Sequence, residues 1–364
     1  MLRVTFASST TGDNVMGIDV YGNLLAGLED RLHRIEHPPV ITLTTDFGTH
    51  DGYVGAMRGV IHTLLPDAKV VDISHDITPQ QIQEGAFILY RAYRYFPASA
   101  VHIAVVDPGV GSSRRSIVLS TRHGTFVGPD NGIFTYVLRA EQAPVPNPDV
   151  DRMPWIGGMW GVAPNWAGEL ELEEADGSAA DPVAGEVLED DPYAHPGDLP
   201  HAYHLDNPDY WLANVSNTFH GRDVFAPVAA HLASGAHPDR MATQVSIDTL
   251  VTLPEAAPRV QKSRQGTTIV GQVIHIDRFG NIITNLPDRL LEPLLEATGA
   301  TALIEIAGYS IKGLGHSYAD VRRGQALALI GSERLLEVAV RNASAAQRMK
   351  VSVGDQVRIV VQGS

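Results

Sequence analysis

Val40-Ile41-Thr42-Leu43-Thr44-Thr45-Asp46 is an apolar run that ends in a carboxylate, and its pairing with the next two segments of the chain sets the architecture. Residues 53–65 carry helical spacing, and Lys69-Val70-Val71-Asp72-Ile73 is a second apolar run. Strand, helix, strand is the simplest parse. Thr78-Pro79 has the form of an N-cap followed by proline at the first helical position, which predicts a helix to about Tyr95. Val101-His102-Ile103-Ala104-Val105-Val106 then makes a third strand. The result is a βαβαβ unit with a parallel sheet and right-handed connections.

In open α/β sheets ligands bind beyond the carboxyl ends of the strands. Asp46 follows the first run, Asp72 and His75 lie around the end of the second, and Asp107 follows the third, so three polar strand ends are expected on one rim. Residues 116–120 and 124–127 suggest a hairpin, and Pro129-Asp130-Asn131-Gly132 is a turn signal before the apolar stretch 133–138. After Pro258 the texture changes to short β-like runs at 268–276, 302–306, 326–330, 335–340 and 356–361. These predict a second, mostly antiparallel domain of barrel type. The expected organisation is an N-terminal arm with an accessory helix over 1–38, an α/β domain over 39–258 and a C-terminal β-barrel over 262–364. The fold class is α/β.

The 364 residues carry a net charge of −15, but the excess is local. Between Ala140 and Tyr210 there are sixteen acids and a single base, Arg152, which accounts for all of it. This stretch reads as a surface insertion at about 140–205, and balanced charge elsewhere argues against nucleic-acid binding. The chain has no cysteine, so disulfides, thiolate-held metals and thiol nucleophiles are excluded. No apolar stretch approaches the ~20 residues of a membrane span, and the first residues do not form a secretory signal. A cytoplasmic protein is expected.

Two Gly-rich segments carry the chemistry: Val106-Asp107-Pro108-Gly109-Val110-Gly111-Ser112-Ser113-Arg114-Arg115 and Thr218-Phe219-His220-Gly221-Arg222-Asp223. A carboxylate, a guanidinium and an imidazole brought together on such loops can hold and deprotonate a water. Taken singly, Asp107 before Pro-Gly is equally a turn residue, Arg114 beside Arg115 a solvated pair, and Asn281 after Gly280 a hairpin residue.

Together with Thr44-Thr45-Asp46-Phe47-Gly48, Pro129-Asp130-Asn131-Gly132 and Asp277-Arg278-Phe279-Gly280-Asn281, these segments occur in an order that resembles the S-adenosylmethionine (SAM) hydroxide adenosyltransferases, relatives of fluorinase and chlorinase. The resemblance covers roughly 40–138 and 207 to the end. It implies hydrolysis of SAM to adenosine and methionine by attack of an activated water on ribose C5′, with no cofactor and no metal. It also implies a homotrimer whose substrate lies between one subunit's N-terminal domain and its neighbour's C-terminal domain. By the same resemblance His220, Asp107 and Arg114 are catalytic, with His220 or Asp107 taking the proton. Asp46 would accept both ribose hydroxyls, Asp51 would meet the methionine ammonium, and Asn281 would read adenine beside a substrate-contacting Asp277. Ser332 falls where the halogenases hold the methionine carboxylate, and the backbone near Ala343 where they meet the adenine edge. Glu333 stands where the halogenases have arginine, and the spacing to Arg341 is one residue longer.

Other functions make distinct demands. A halogenase-like adenosyltransferase would need a halide beside Asp107, which repels it. A metallohydrolase could draw on Asp46, His50, Asp51, His75 and Asp76, but these lack ligand spacing. A methyltransferase would carry a Gly-rich fingerprint after the first strand, where only Gly48 is present. A non-catalytic SAM or adenosine-binding protein would use the same pocket and leave the ligand intact.

Overall fold

The computed structural model describes residues 38–141, 199–254, 257–263, 266–291, 295 and 301–362. The expected accessory helix before residue 38 and most of the acidic stretch lie outside the described residues.

The first sheet grows from β1 (Val40–Thr45), which pairs in parallel with β2 (Lys69–Ser74) and β3 (Val101–Val105). β3 pairs in parallel with β5 (Gly124–Pro129), whose antiparallel hairpin partner is β4 (Ser116–Thr121). β6 (His201–Leu205) and β7 (Ala242–Val245) extend the sheet antiparallel, giving the order β2-β1-β3-β5-β4-β6-β7. Helix α1 (Tyr53–Leu64) joins β1 to β2, α2 (Ile82–Tyr93) joins β2 to β3, and α3 (Thr135–Glu141) follows β5. α4 (Ala226–Ala233) runs from a π-helical turn, Gly221–Phe225.

Alternation along β1 sends Ile41 and Leu43 to one face, where they pack with Met57 and Ile61 of α1 and Val228 of α4. The opposite face carries α2 and α3, with Phe87, Tyr90 and Tyr136 fully buried. Burial of each such side chain contributes about 1.5–3 kcal/mol.

The second sheet contains β8 (Arg259–Ser263), β9 (Gly266–Ile276), β10 (Ile282–Pro287), β11 (Ala302–Ile306), β12 (Tyr309–Lys312), β13 (Ala326–Ile330), β14 (Leu335–Val340) and β15 (Gln356–Gln362). It is antiparallel throughout, ordered β12-β11-β15-β9-β10-β14-β13 with β8 on β9, and it curls around its own core of Ile269, Val273, Ile304, Val338 and Ile359. The chain is thus an α/β structure with a barrel-like second part. The two parts share a seam: Ile274, Ile283 and Leu335 join the apolar cluster under α2, and Arg91 of α2 pairs with Glu333 at 2.5 Å.

One boundary differs from expectation. Helix α2 starts at Ile82 rather than at Thr78-Pro79. Gln80 takes a left-handed backbone (φ 67°), and its N–H donates to Asp46 Oδ2 at 2.8 Å, so this backbone serves the end of β1 instead of a helical turn. Among the described residues no helix is long and apolar enough to cross a membrane.

Candidate active site

Asp107 leaves the end of β3 on a loop that returns through Gly111 to Arg114. Gly111 has φ 76°, and a Cβ there would lie 2.3 Å from the Asn217 carbonyl oxygen. Only glycine lets the Asp107–Arg114 loop lie directly on the segment leading to His220. Asn131, in the turn after β5, donates its amide to the Val106 carbonyl at 2.8 Å and fixes the residue just before Asp107.

Arg114 organises the group. Its Nε donates to Asp107 Oδ1 and Oδ2 at 3.1 and 3.0 Å, and its Nη2 donates to Asp107 Oδ2 at 2.5 Å. Nη2 also lies 2.8 Å from His220 Nδ1, and Nη1 donates to Ser116 Oγ at 2.7 Å. The guanidinium sits 5.5 Å above the Phe225 ring. Both members of the ion pair are largely buried, with side chains 4% (Asp107) and 10% (Arg114) exposed.

A guanidinium has donors only, so His220 Nδ1 must present its lone pair and the ring proton sits on Nε2. Burial and the Arg114 charge hold the His220 pKa below the usual histidine value, against the opposing pull of Asp107 and Asp223. The group is therefore a carboxylate, a fixed guanidinium and a neutral imidazole that donates from Nε2.

The His220 backbone is held in turn by its neighbours. Asp223, fully buried, accepts from Arg222 Nε at 2.6 Å and from the Ser216 amide at 2.8 Å. Gly221 packs so closely that a Cβ would lie 3.2 Å from the Phe47 ring and 3.3 Å from the Met57 sulfur. Phe47, Tyr53 and Phe219 form a mutually packed aromatic trio, with centroids 5.1–5.8 Å apart, beside this turn. Asp46 at the end of β1 is half-buried, and Asp51 stands on the outer rim with its side chain 69% exposed.

The remaining expected residues group on the second sheet. Asp277 and Asn281 close the β9–β10 turn: Asp277 Oδ1 accepts from the Asn281 amide N–H at 2.8 Å, and Oδ2 from Asn281 Nδ2 at 3.0 Å. Gly280 in this turn has φ 82°, and a Cβ there would meet Ser344 Oγ at 2.0 Å. The turn thereby lies against Ala343-Ser344, where Ser344 caps α5 (Ala345–Met349). Ser332 lies on the turn between β13 and β14, where its hydroxyl donates to Glu333 Oε1 at 2.9 Å. Glu333 is itself committed to Arg91, so the residue at the halogenase arginine position works in the seam. No hydrogen bond or ion pair among the described residues joins Asp46, Asp51, Asp107, Arg114 and His220 to Asp277, Asn281, Ser332 and Ala343.

Asp72 and His75, the other polar strand end, face each other at 3.1 Å, with Arg58 on Asp72 and Thr45 Oγ1 2.8 Å from His75 Nδ1. No group of three or more histidine or carboxylate side chains among the described residues is arranged to hold a metal ion. Sequence reasoning missed Ser116 and Phe225, which carry no motif of their own, and gave Asn131, part of a motif shared with the family, no role beyond its turn.

A family model described as SAM hydroxide adenosyltransferase N-terminal domain matches residues 41–152 and 192–242, and the corresponding C-terminal domain model matches 271–358. The chain belongs to this family. Similar proteins include an (R)-S-adenosyl-L-methionine hydrolase of Salinispora tropica, 34% identical over 88% of this chain and 97% of the relative. The hydrolase of the same name from Thermus thermophilus is 33% identical over 88% and 99%. A fluorinase of Nocardia brasiliensis is more distant, 25% identical over 89% and 97%. Among solved structures, an uncharacterized conserved protein from Thermotoga maritima superposes with a TM-score of 0.65 at 29% identity, covering 88% of this chain and 99% of that one. The SAM hydroxide adenosyltransferase assignment thus spans both parts of the fold, and the chain is an enzyme of this family.

Proposed function

We propose that the chain hydrolyses SAM to adenosine and methionine, with Asp107, Arg114 and His220 acting on the attacking water. Four similar hydrolases carry the R form in their names, and we assign the R epimer at sulfur as the substrate. The observation that carries the mechanism is the donation from Arg114 to His220 Nδ1. It leaves Nε2 as an N–H that orients the water oxygen, while Asp107 is the group with lone pairs free to take the proton. Asp107 need not be a strong base. As the O–C5′ bond forms and the C5′–S electron pair moves to sulfur, the attacking oxygen becomes oxonium-like and far more acidic than water. Arg114 keeps the carboxylate ionised and aimed. The reaction joins a neutral water to a cation and spreads its charge in the transition state, so exclusion of bulk water by the substrate against Phe47, Tyr53 and Phe219 would favour it.

A halide-holding hydroxyl at position 221 has little room, given the contacts a Cβ would make with Phe47 and Met57. This favours hydrolysis over halide transfer. In this reading Asp46, held by the Gln80 N–H, accepts the ribose hydroxyls, and Asp51 on the rim meets the ammonium. Asn281, Asp277 and the Ala343 backbone would read the adenine end.

Since no hydrogen bond or ion pair among the described residues joins the two sets, we read them as half-sites of a homotrimer in which the N-terminal half-site of one subunit meets the C-terminal half-site of the next. The cytoplasm is the setting this reading assigns.

Incubation with SAM in oxygen-18 water tests the chemistry: the label should appear on the adenosine 5′-hydroxyl, and an unlabelled product or intact SAM overturns it. Mixing inactive His220→Ala with inactive Asn281→Ala subunits tests the shared site. Mixed trimers should recover a fraction of wild-type activity, and no recovery would place both half-sites in one subunit.

A further inference from the structure

Both ends of the loop that carries Asp107 and Arg114 rest on one turn, Pro129-Asp130-Asn131-Gly132. Asn131 holds the Val106 carbonyl, one residue before Asp107. Asp130 holds Arg115, one residue after Arg114. Its N–H donates to the Arg115 carbonyl at 3.0 Å, and its Oδ2 accepts from Arg115 Nε at 2.8 Å and lies 2.6 Å from Nη2. The Arg115 carbonyl also accepts from Arg114 Nη1 at 3.4 Å, so the backbone fixed by Asp130 is itself a contact of the guanidinium that aims Asp107. β4 and β5 pair as far as Ser116 and Pro129, which makes Arg115 and Asp130 the next facing residues, where the two strands part into the loop and the turn. An ion pair across this open end closes it.

The same two side chains reach a third segment. Asp130 Oδ1 accepts from the Val251 N–H at 2.8 Å. Arg115 Nη1 donates to Thr249 Oγ1 at 3.0 Å, and its Nη2 donates to the Thr249 carbonyl. Leu250, between them, is buried in the apolar cluster that also contains Ile274, Ile283 and Leu335 of the second sheet. Residues 249–251 therefore connect the seam between the two sheets to the Asp107–Arg114 loop, and Asp130 with Arg115 is the junction. No hydrogen bond among the described residues joins this junction to Asp46, Asp51, Asp277 or Asn281, the residues assigned to substrate binding.

We infer that Asp130 is a positioning residue for the hydrolysis: with Arg115 it sets where Arg114 holds Asp107, and through residues 249–251 it ties that setting to the packing of the second sheet. This rests on the reading of Asp107 as the proton acceptor. Asp130 acts through Arg115 and Arg114, so its contribution belongs to the chemical step and not to substrate affinity. Arginine suits the junction because its planar fork serves the carboxylate and the Thr249 oxygens at once, which a lysine ammonium cannot do in the same geometry.

Four full-length proteins test it: wild type, Asp130→Asn, Asp107→Asn and the double variant, with kcat and KM for SAM measured on each. Asp130→Asn keeps the side-chain size and removes the anion, and Arg115 is partly exposed, so no charge is left buried and unpaired. kcat should fall by roughly ten- to a hundredfold, as for a catalytic group displaced by up to ~1 Å, with KM within about twofold of wild type. In the Asp107→Asn background the same substitution should cost no more than about threefold, because groups that act as a unit are not additive. An equal loss in both backgrounds overturns the inference, as does a rise in KM at constant kcat or an unchanged kcat in folded Asp130→Asn. Wild-type kcat in Asp107→Asn alone overturns the reading of Asp107, and this inference with it. Should Asp130→Asn not fold, Arg115→Lys takes its place: it keeps the charge and gives up the fork, so the same pattern is expected with a loss of about three- to tenfold, and an unchanged kcat overturns the inference.

Discussion

The two strand ends that flank β1 carry the same three residue types, and they are wired in different orders. Beyond β3, arginine is central: Arg114 holds Asp107 with one edge and His220 Nδ1 with another, and the histidine keeps Nε2 free. At the end of β2, aspartate is central: Asp72 lies between Arg58 and His75, and the far nitrogen of His75 meets Thr45. Burial works against the charged form of Asp72, yet Arg58 and His75 hold its pKa below the usual value. His75 is 5% exposed, and its backbone carbonyl accepts from Gly48. That group is packed against the Asp46 loop, with His75 Nε2 and Arg58 Nε buried without a hydrogen bond, whereas in the proposed mechanism the β3 group offers a donor and a carboxylate to the ligand. On the proposed mechanism, connectivity more than residue type separates the catalytic group from a brace.

Substituting the two aspartates breaks the comparison most sharply. Asp107→Asn keeps the shape and removes the proton acceptor, so kcat should fall by roughly 10³, within the range for a positioned base. Asp72→Asn should leave kcat within a few-fold of wild type and lower the melting temperature, because Arg58 and His75 lose their anion. Steady-state kinetics beside thermal melts distinguish the two, and equal kcat losses would erase the distinction.

His220→Ala comes next, with an expected loss of about 10² in kcat, since it removes an orienting donor and not the base. Its pH profile sharpens the point. The His220 pKa is depressed, so the ring stays neutral through the ordinary histidine range and charges only at more acid pH. Protonation at Nδ1 ends the Arg114 donation and sets two cations side by side. Wild-type kcat/KM should therefore be level near neutrality and fall on the acid side, with that acid limb reduced in His220→Ala. An identical acid limb in the variant would assign the titration elsewhere.

The proposed catalytic group was legible only through the order of its motifs, since Arg114 and His220 lie 106 residues apart and each residue alone reads equally as turn or surface; the parallel core was legible because β1, β2 and β3 read as apolar runs around helical spacing. The brace was half legible: Asp72 and His75 were visible as a strand end, but nothing local shows that Thr45 and Arg58 close it. The start of α2 misled because the Thr78-Pro79 signal is sound locally and is overridden by the Gln80–Asp46 bond, a contact across 34 residues. β10 escaped because all six of its residues are buried, leaving no polar alternation to read. The tie from Ser332 through Glu333 to Arg91 spans 242 residues and has no sequence signature.

A third histidine marks the limit of the series. His102 lies in the core with Thr42 2.8 Å from Nδ1 and no partner at Nε2, stacked on Phe126. Burial lowers its pKa to about 3. The unfolded chain binds this proton near pH 6.5 and the folded chain does not, so the stability this neutral ring confers is present above 6.5 and lost as pH falls towards 3. At pH 5 the loss should be about 2 kcal/mol relative to pH 7. Denaturant melts of wild type and His102→Leu at the two pH values measure it. The variant starts from a lower stability but should lose about 2 kcal/mol less on acidification, and parallel losses would remove His102 as the cause.

The smallest effect is the one that tests whether the brace is purely mechanical. Thr45→Val keeps the volume and β-branching of a fully buried residue and removes the hydroxyl that meets His75 Nδ1 and accepts from the Phe47 amide at 3.3 Å. A lost buried hydrogen bond of this kind costs about 1 kcal/mol. Asp46 is one residue along the chain, so loosening here should reach the ribose contact before it reaches the chemistry at Asp107. KM should rise by a few-fold while kcat holds. A fall in kcat at constant KM would instead couple the two strand ends, and the contrast between their wirings would no longer separate their functions.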